Sequence, residues 1–131
     1  MTIIVNNACS QVSVMTVGND STEIAFASDT QAPMLIEKLV LKSNHNRRAT
    51  RMLFDGIVHR HPSSLFLLGD VVSLGYSKKL WRPMDKYLDG CQKEGIPVTA
   101  ALDNHELLAR PKKGLSRFQS NFPNFVNTGY M

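Results

Sequence analysis

Three short groups of polar residues in this sequence carry side chains that divalent metal ions bind. They are Asp29-Thr30-Gln31, Gly69-Asp70 and Asp103-Asn104-His105-Glu106. Carboxylate, amide and imidazole ligands together suit ions such as Mn²⁺, Fe or Zn²⁺. Two such ions about 3.5 to 4 Å apart can share a carboxylate and stabilise both the attacking and the leaving oxygen of a phosphoryl transfer. Asp70, in the middle group, is the natural candidate for the shared carboxylate.

Each polar group directly follows an apolar run with the length of a β-strand. The runs are Glu23–Ser28, Ser64–Leu68 and Pro97–Leu102. The second contains four consecutive apolar residues, which predicts a strand buried on both faces, as in the centre of a parallel sheet. Open α/β folds place their ligands at the carboxyl edge of the sheet. Parallel pairing of the three strands would therefore bring Asp29, Asp70 and the Asn104-His105 pair to one patch.

Two helices are predicted between these strands. Apolar residues recur at helical spacing after Asn44 and Asn46, either of which can cap a helix that ends near His59. The next helix is expected to begin near Trp81, because a proline two residues further on is tolerated only in a first turn, and to end at Gly95. Alternation of strands and helices in this order is typical of right-handed crossovers in a parallel sheet.

The residues before the first of these strands favour β-structure. Thr2–Val5 and Gln11–Val17 predict a hairpin or an edge strand that carries no chemistry. A chain of 131 residues fits one domain. The predicted fold class is therefore α/β: a βαβαβ, parallel-rich sheet with flanking helices, in a single domain over residues 1–131.

The charge balance is mildly basic. Fifteen Lys and Arg against eleven Asp and Glu give a formal net charge of +4, which is compatible with an anionic substrate. Part of the excess lies in one window, which contains Arg47, Arg48, Arg51 and Arg60. Solvated helix faces are the favoured explanation of this window, and contact with phosphate or nucleic acid is the alternative.

The remaining composition excludes several classes of protein. Cys9 and Cys91 are the only cysteines, so no disulfide framework or thiolate zinc site can be built. No apolar run approaches the length of about 18 residues that a membrane span needs. The first 15 residues lack Lys and Arg and do not form a secretory signal. We therefore expect a cytoplasmic protein.

In their order and setting, the three polar groups resemble the motifs of the calcineurin-like metallophosphoesterases. That superfamily includes protein phosphatases, purple acid phosphatases, phosphodiesterases and nucleases. Its signature is Asp-x-His, Gly-Asp-x-x-Asp and Gly-Asn-His-Asp/Glu, followed by a lone His and a Gly-His-x-His motif. The resemblance covers residues 23 to about 126 and implies half of an αββα sandwich.

The resemblance implies a role for each matching residue. Asp29 and Gln31 would bind the first metal, Asp70 would bridge two metals, and Asn104 would bind the second through its amide oxygen. His105 would be the catalytic residue, which stabilises or protonates the leaving oxygen. The implied cofactors are divalent Mn, Fe or Zn ions, two of them where the site is complete. The implied reaction is in-line attack of a metal-bound hydroxide on a phosphate ester, without a covalent enzyme intermediate.

The sequence departs from the family pattern at several positions. Gln31 stands where the family usually has histidine, and its amide oxygen would be a weaker ligand. Ser73 replaces the second carboxylate of the Gly-Asp motif, which would remove only support behind the ligands. Asp103 replaces a glycine and would be strained if that position required a positive φ. No histidine follows His105, so the two C-terminal histidine motifs have no counterpart.

These departures leave more than one function open. The first hypothesis is a metal-dependent phosphoesterase, a phosphatase or phosphodiesterase, that is truncated and incomplete or weakly active as this chain. The alternative is an inactive, truncated relative that acts as a binding or assembly module. An unrelated doubly wound nucleotide-binding domain is disfavoured, because no Gly-rich phosphate loop follows the first strand.

The expected partners follow from the same comparison. A phosphate-ester substrate is expected, and nucleic acid is not favoured. The missing second sheet would leave one sheet face uncovered, which favours a homo-oligomer.

Overall fold

The structure, a computed structural model, describes residues 3–7, 10–17, 22–30 and 46–125. Within these ranges one sheet has the strand order β1-β2-β3-β4-β5. The strands are Ile3–Asn7 (β1), Ser10–Val17 (β2), Thr22–Ser28 (β3), Ser64–Leu67 (β4) and Val98–Ala100 (β5). β1, β2 and β3 pair antiparallel, whereas β3, β4 and β5 pair parallel. The predicted hairpin and the predicted parallel strands are both confirmed.

The described helices are Asn46–Arg60 (α1), Lys78–Lys93 (α2), Asn104–Leu107 (α3) and Pro111–Asn121 (α4). α1 connects β3 to β4, and α2 connects β4 to β5. The predicted βαβαβ order is therefore confirmed, and the fold class is mixed α/β with a three-stranded parallel section. No helix in the described ranges is long and apolar enough to cross a membrane.

Helix α2 begins earlier than the proline rule predicts. It starts at Lys78 and contains Pro83, so the predicted start near Trp81 is wrong. A proline inside a helix removes the hydrogen bond to the carbonyl four residues before it. Here that carbonyl belongs to Lys79, which is exposed, so water can take the place of the missing donor. The predicted end is confirmed, because Gly95, with a φ of 68°, directly follows the C-cap residue Glu94.

The core lies on one face of the sheet. Strand residues buried there against side chains of α1, α2 and α4 are Ala25, Ala27, Leu65, Leu67 and Ala100. Phe66 and its register partner Phe26 lie on the opposite face, where they are half-buried and stack with ring centroids 5.4 Å apart. The predicted burial of β4 on both faces is therefore wrong. Both crossover helices contribute their buried side chains to the same cluster, and the second face remains partly in contact with solvent.

Candidate functional site

The carboxyl ends of β3, β4 and β5 lie at one edge of the sheet. Ala27 is the register partner of Leu67, which is the partner of Ala100. Asp29 and Asp70 come two and three residues after their strand's paired position, and adjacent strands are about 4.8 Å apart. The structure therefore places the Asp29, Asp70 and Asn104 positions at the edge where the sequence predicts them. Gln31 lies outside the described residues.

Asp29 and Asp70 share an uncommon backbone conformation. Their φ angles are 54° and 50°, in the left-handed region that residues other than glycine seldom adopt and that Asp tolerates better than most. Gly69, directly before Asp70, has a φ of 96°. Such strain costs on the order of 1 to 3 kcal/mol and is often found at functional sites. After each of these two neighbouring strands, the chain therefore has an aspartate in the left-handed region.

His105, one of the candidate site residues, lies close to the carboxylate of Asp70. Its Nε2 atom lies 3.8 Å from Oδ1 of Asp70, and both side chains are about one-quarter exposed. Its Nδ1 atom is buried and has no hydrogen-bond partner within the described part of the chain. When the imidazole is protonated, the two side chains form an ion pair that reaches from the turn after β4 to α3.

Glu106, the last residue of the third polar group, holds these two segments together. Its side chain is fully buried. Oε1 accepts hydrogen bonds from the backbone N–H groups of Val71 (2.7 Å) and Val72 (3.1 Å), and Oε2 accepts one from Asp103 (2.9 Å). Burial raises the pKa of the Glu106 carboxyl, and the hydrogen bonds from the backbone oppose that rise. The carboxyl group therefore fixes the loop after Asp70 against the start of α3.

The backbone of Asp103 does not have the positive φ that would strain an aspartate. It is the N-cap of α3, with an extended backbone (φ −125°, ψ 179°), and its Oδ1 accepts a hydrogen bond of 2.6 Å from the N–H of Asn104. With Glu106 it forms a capping box, a local signal that is readable in the sequence as Asp-x-x-Glu. A Cβ atom at Gly69 would lie 3.1 Å from the Asp103 side chain, so the two turns are in direct contact.

Two glycines allow the chain to approach α3 closely. A Cβ atom on Gly75 or on Gly114 would overlap the carbonyl oxygen of Glu106. Gly75 is held in turn by Trp81, whose Nε1 donates a hydrogen bond of 2.7 Å to the Gly75 carbonyl. The loop between β4 and α2 is therefore fixed from both sides, and with it the position of Asp70 relative to His105.

Two threonines connect the turn after β3 to its neighbours. Thr30 follows Asp29, is buried, and donates a hydrogen bond of 3.3 Å to the carbonyl of Val71. Thr50 of α1, also buried, donates one of 3.3 Å to the carbonyl of Thr30. Ser73, in the place of the family's second carboxylate, is buried as well.

The donors at the edge differ from a complete two-metal site. Among the described residues, no three His, Cys, Asp or Glu side chains are grouped closely enough to hold a metal ion. Asp29, Asp70 and Asn104 offer carboxylate and amide oxygens, which are the donors that a hard cation such as Mn²⁺ or Mg²⁺ prefers. In chemical type, the described side chains therefore match the ligands of one oxygen-coordinated ion. They do not supply the imidazoles of a two-metal centre.

Comparisons of the chain with models of known families, with curated proteins and with solved structures found no match.

Proposed function

We propose that this protein is a metal-dependent phosphoesterase related to the calcineurin-like metallophosphoesterases, with a fold that corresponds to half of their αββα sandwich. The observation that best supports the proposal is the position of Asp29, Asp70 and Asn104-His105, at the carboxyl ends of three adjacent parallel strands. The partly exposed sheet face with Phe26 and Phe66 is consistent with a sheet that packs against a second one in a sandwich.

The proposal gives each residue at the edge a task. The carboxylates of Asp29 and Asp70 and the amide oxygen of Asn104 would hold a divalent ion, with Gln31 as a further oxygen donor. When bound, such an ion neutralises charge on the phosphate ester and makes a bound water more acidic. The residues themselves would orient the ester at the edge of the sheet.

His105 would act as the general acid. Its Nε2 atom lies 3.8 Å from Oδ1 of Asp70, beside the proposed metal ligands, so a proton on Nε2 would be held next to the ester that these residues orient. Transfer of this proton to the leaving oxygen would spare the leaving group a full negative charge. Glu106 would not touch the substrate, since its carboxyl group is buried and occupied by backbone N–H groups. It would fix the position of His105 relative to Asp70.

Metal content and turnover together test this proposal. Protein prepared with Mn²⁺ and never exposed to chelator should contain at least one ion per chain by elemental analysis. It should hydrolyse bis(p-nitrophenyl) phosphate or p-nitrophenyl phosphate, and Asp70→Asn should reduce both properties. The matched control is Asp55→Asn, which removes an exposed carboxylate from α1 and should change neither. Metal-dependent turnover that Asp70→Asn leaves intact would contradict the proposal.

The Phe26–Phe66 pair favours a second candidate function, that of an inactive binding or assembly module. Two stacked aromatic rings that remain partly exposed on one sheet face are typical of a surface that another protein covers. This candidate predicts no turnover, at most one weakly held ion, and a homo-oligomer in light scattering at micromolar concentration. A monomer that turns over substrate would exclude it.

A further inference from the structure

A cavity of about 440 Å³ lies between α1, α2 and the loop after β4. Four cationic side chains line it: Arg47 and Arg51 of α1, and Lys79 and Arg82 of α2. Arg47 and Arg51 are four residues apart and Lys79 and Arg82 three apart, so each pair occupies one face of its helix. We name this cavity, with its four cations, the basic pocket.

Within the described ranges, no neighbouring carboxylate balances the charge of the basic pocket. Among the described residues, no carboxylate lines it, and none of its four cations takes part in the ion pairs of that part of the chain. Asp85 lines an adjoining cavity with Arg51 and Arg82, but it takes part in neither of the ion pairs between described residues. Like charges that face one another across a cleft repel, and an anion in the cleft removes that cost.

The floor of the basic pocket is apolar and fixed. Val71, Val72 and Met84 are buried there. Tyr87, half-buried at the same floor, stacks on Phe54 with ring centroids 4.6 Å apart and planes at 3°. A cavity of this size, with an apolar floor and a few convergent charges, is typical of a small-molecule site.

We infer that the basic pocket binds an organic phosphate, a small molecule with an apolar ring and one or more phosphate groups, such as a nucleotide. The guanidinium groups of Arg47, Arg51 and Arg82 can each form two parallel hydrogen bonds to phosphate oxygens. The ring lies against the apolar floor beside Tyr87. The window of arginines that is most simply explained as a solvated helix face thus has two members, Arg47 and Arg51, that face a cavity.

The basic pocket adjoins the candidate site but does not depend on it. Two of its residues, Thr30 and Val71, directly follow Asp29 and Asp70. A ligand in the pocket would therefore lie beside the sheet edge. Binding itself needs neither a metal ion nor turnover, so it can be measured when the proposed phosphoesterase activity is absent.

Isothermal titration with ADP, adenosine and pyrophosphate, in EDTA and at low ionic strength, tests the inference. ADP should bind saturably and at least about tenfold more tightly than either adenosine or pyrophosphate. Only ADP has both a ring that contacts the apolar floor and phosphates that pair with the cations. Arg51→Ala and Arg82→Ala should each weaken ADP binding about tenfold, and Arg51→Lys should weaken it less than Arg51→Ala.

Arg48→Ala is the matched control, since Arg48 is an exposed arginine of the same helix that does not line the pocket. It should leave ADP affinity within about twofold. Thermal unfolding of Arg51→Ala and Arg82→Ala should match that of the parent, so that lost binding cannot be lost folding. Absence of saturable ADP binding, or equal losses in Arg48→Ala and Arg51→Ala, would overturn the inference. So would equal affinity for ADP and pyrophosphate.

Discussion

Replacing Glu106 by alanine should destabilise the protein by about 4 kcal/mol. The change leaves the N–H groups of Val71 and Val72 without their acceptor, at two residues that are 1% and 2% exposed. Each buried donor without a partner costs about 1 to 3 kcal/mol. The third donor, Asp103, belongs to an exposed residue, so water can replace the lost acceptor there.

Glu106→Gln should cost less, about 1 kcal/mol. Its amide oxygen can still accept the hydrogen bonds from Val71 and Val72, so only one donor, the N–H of Asp103, loses its acceptor. The free energy of unfolding in urea measures both changes. Trp81 is the only tryptophan and binds Gly75 in the same loop, so its fluorescence reports on the affected region.

Glu94→Ala is the control for these variants, because Glu94 is an exposed glutamate at the end of α2. It should change the free energy of unfolding by less than about 0.5 kcal/mol. A Glu106→Ala protein that is no less stable than Glu94→Ala would contradict this prediction. So would equal destabilisation by Glu106→Gln and Glu106→Ala, since hydrogen bonding to Val71 and Val72 would then contribute nothing.

The remaining predictions concern pH, the glycines and the exposed face. Burial raises the folded pKa of Glu106 above the ordinary value of 4.5. The stabilising contribution of its carboxyl group is therefore fully present below that ordinary value and falls as pH rises through the raised pKa. Urea unfolding of the parent and of Glu106→Gln across this pH range should show the loss, and a difference in unfolding free energy that does not change with pH would contradict it. Gly75→Ala should destabilise the protein by about 3 kcal/mol or more, because the added Cβ overlaps the Glu106 carbonyl. Gly90→Ala should stabilise it by about 0.5 to 1 kcal/mol, because Gly90 lies inside α2 and its Cβ would meet nothing within 4 Å. Equal effects of the two variants in thermal unfolding would refute the close approach of Gly75 to the Glu106 carbonyl. Phe66→Ser should shift any oligomer seen by sedimentation toward monomer, and an unchanged distribution would remove this face from the interface.

The sequence predicts the sheet edge well because its signals are local. Each apolar run is followed at once by its polar group, and the segments between the runs have helical spacing. Parallel pairing then follows from chain topology. These features suffice to place Asp29, Asp70 and Asn104 at the ends of adjacent strands, without knowledge of any side-chain contact.

The sequence does not predict what depends on distant contacts. Glu106 bonds to Val71, which is 35 residues earlier in the chain, and only half of its role, the capping box, is visible locally. Burial of β4 on one face depends on which side the crossover helices pack. Likewise, the arginines of α1 read as a solvated face until α2 places Lys79 and Arg82 opposite them.

The left-handed turns at Asp29 and Asp70 have a consequence for how this edge could be altered. Glycine would adopt either conformation more easily than aspartate does. Selection for folding stability alone would therefore replace both aspartates by glycine and remove both carboxylates. If Asp70→Gly unfolds at a higher temperature than the parent but does not retain Mn²⁺, then the residue that is best for folding at this position differs from the residue that is needed to bind the ion.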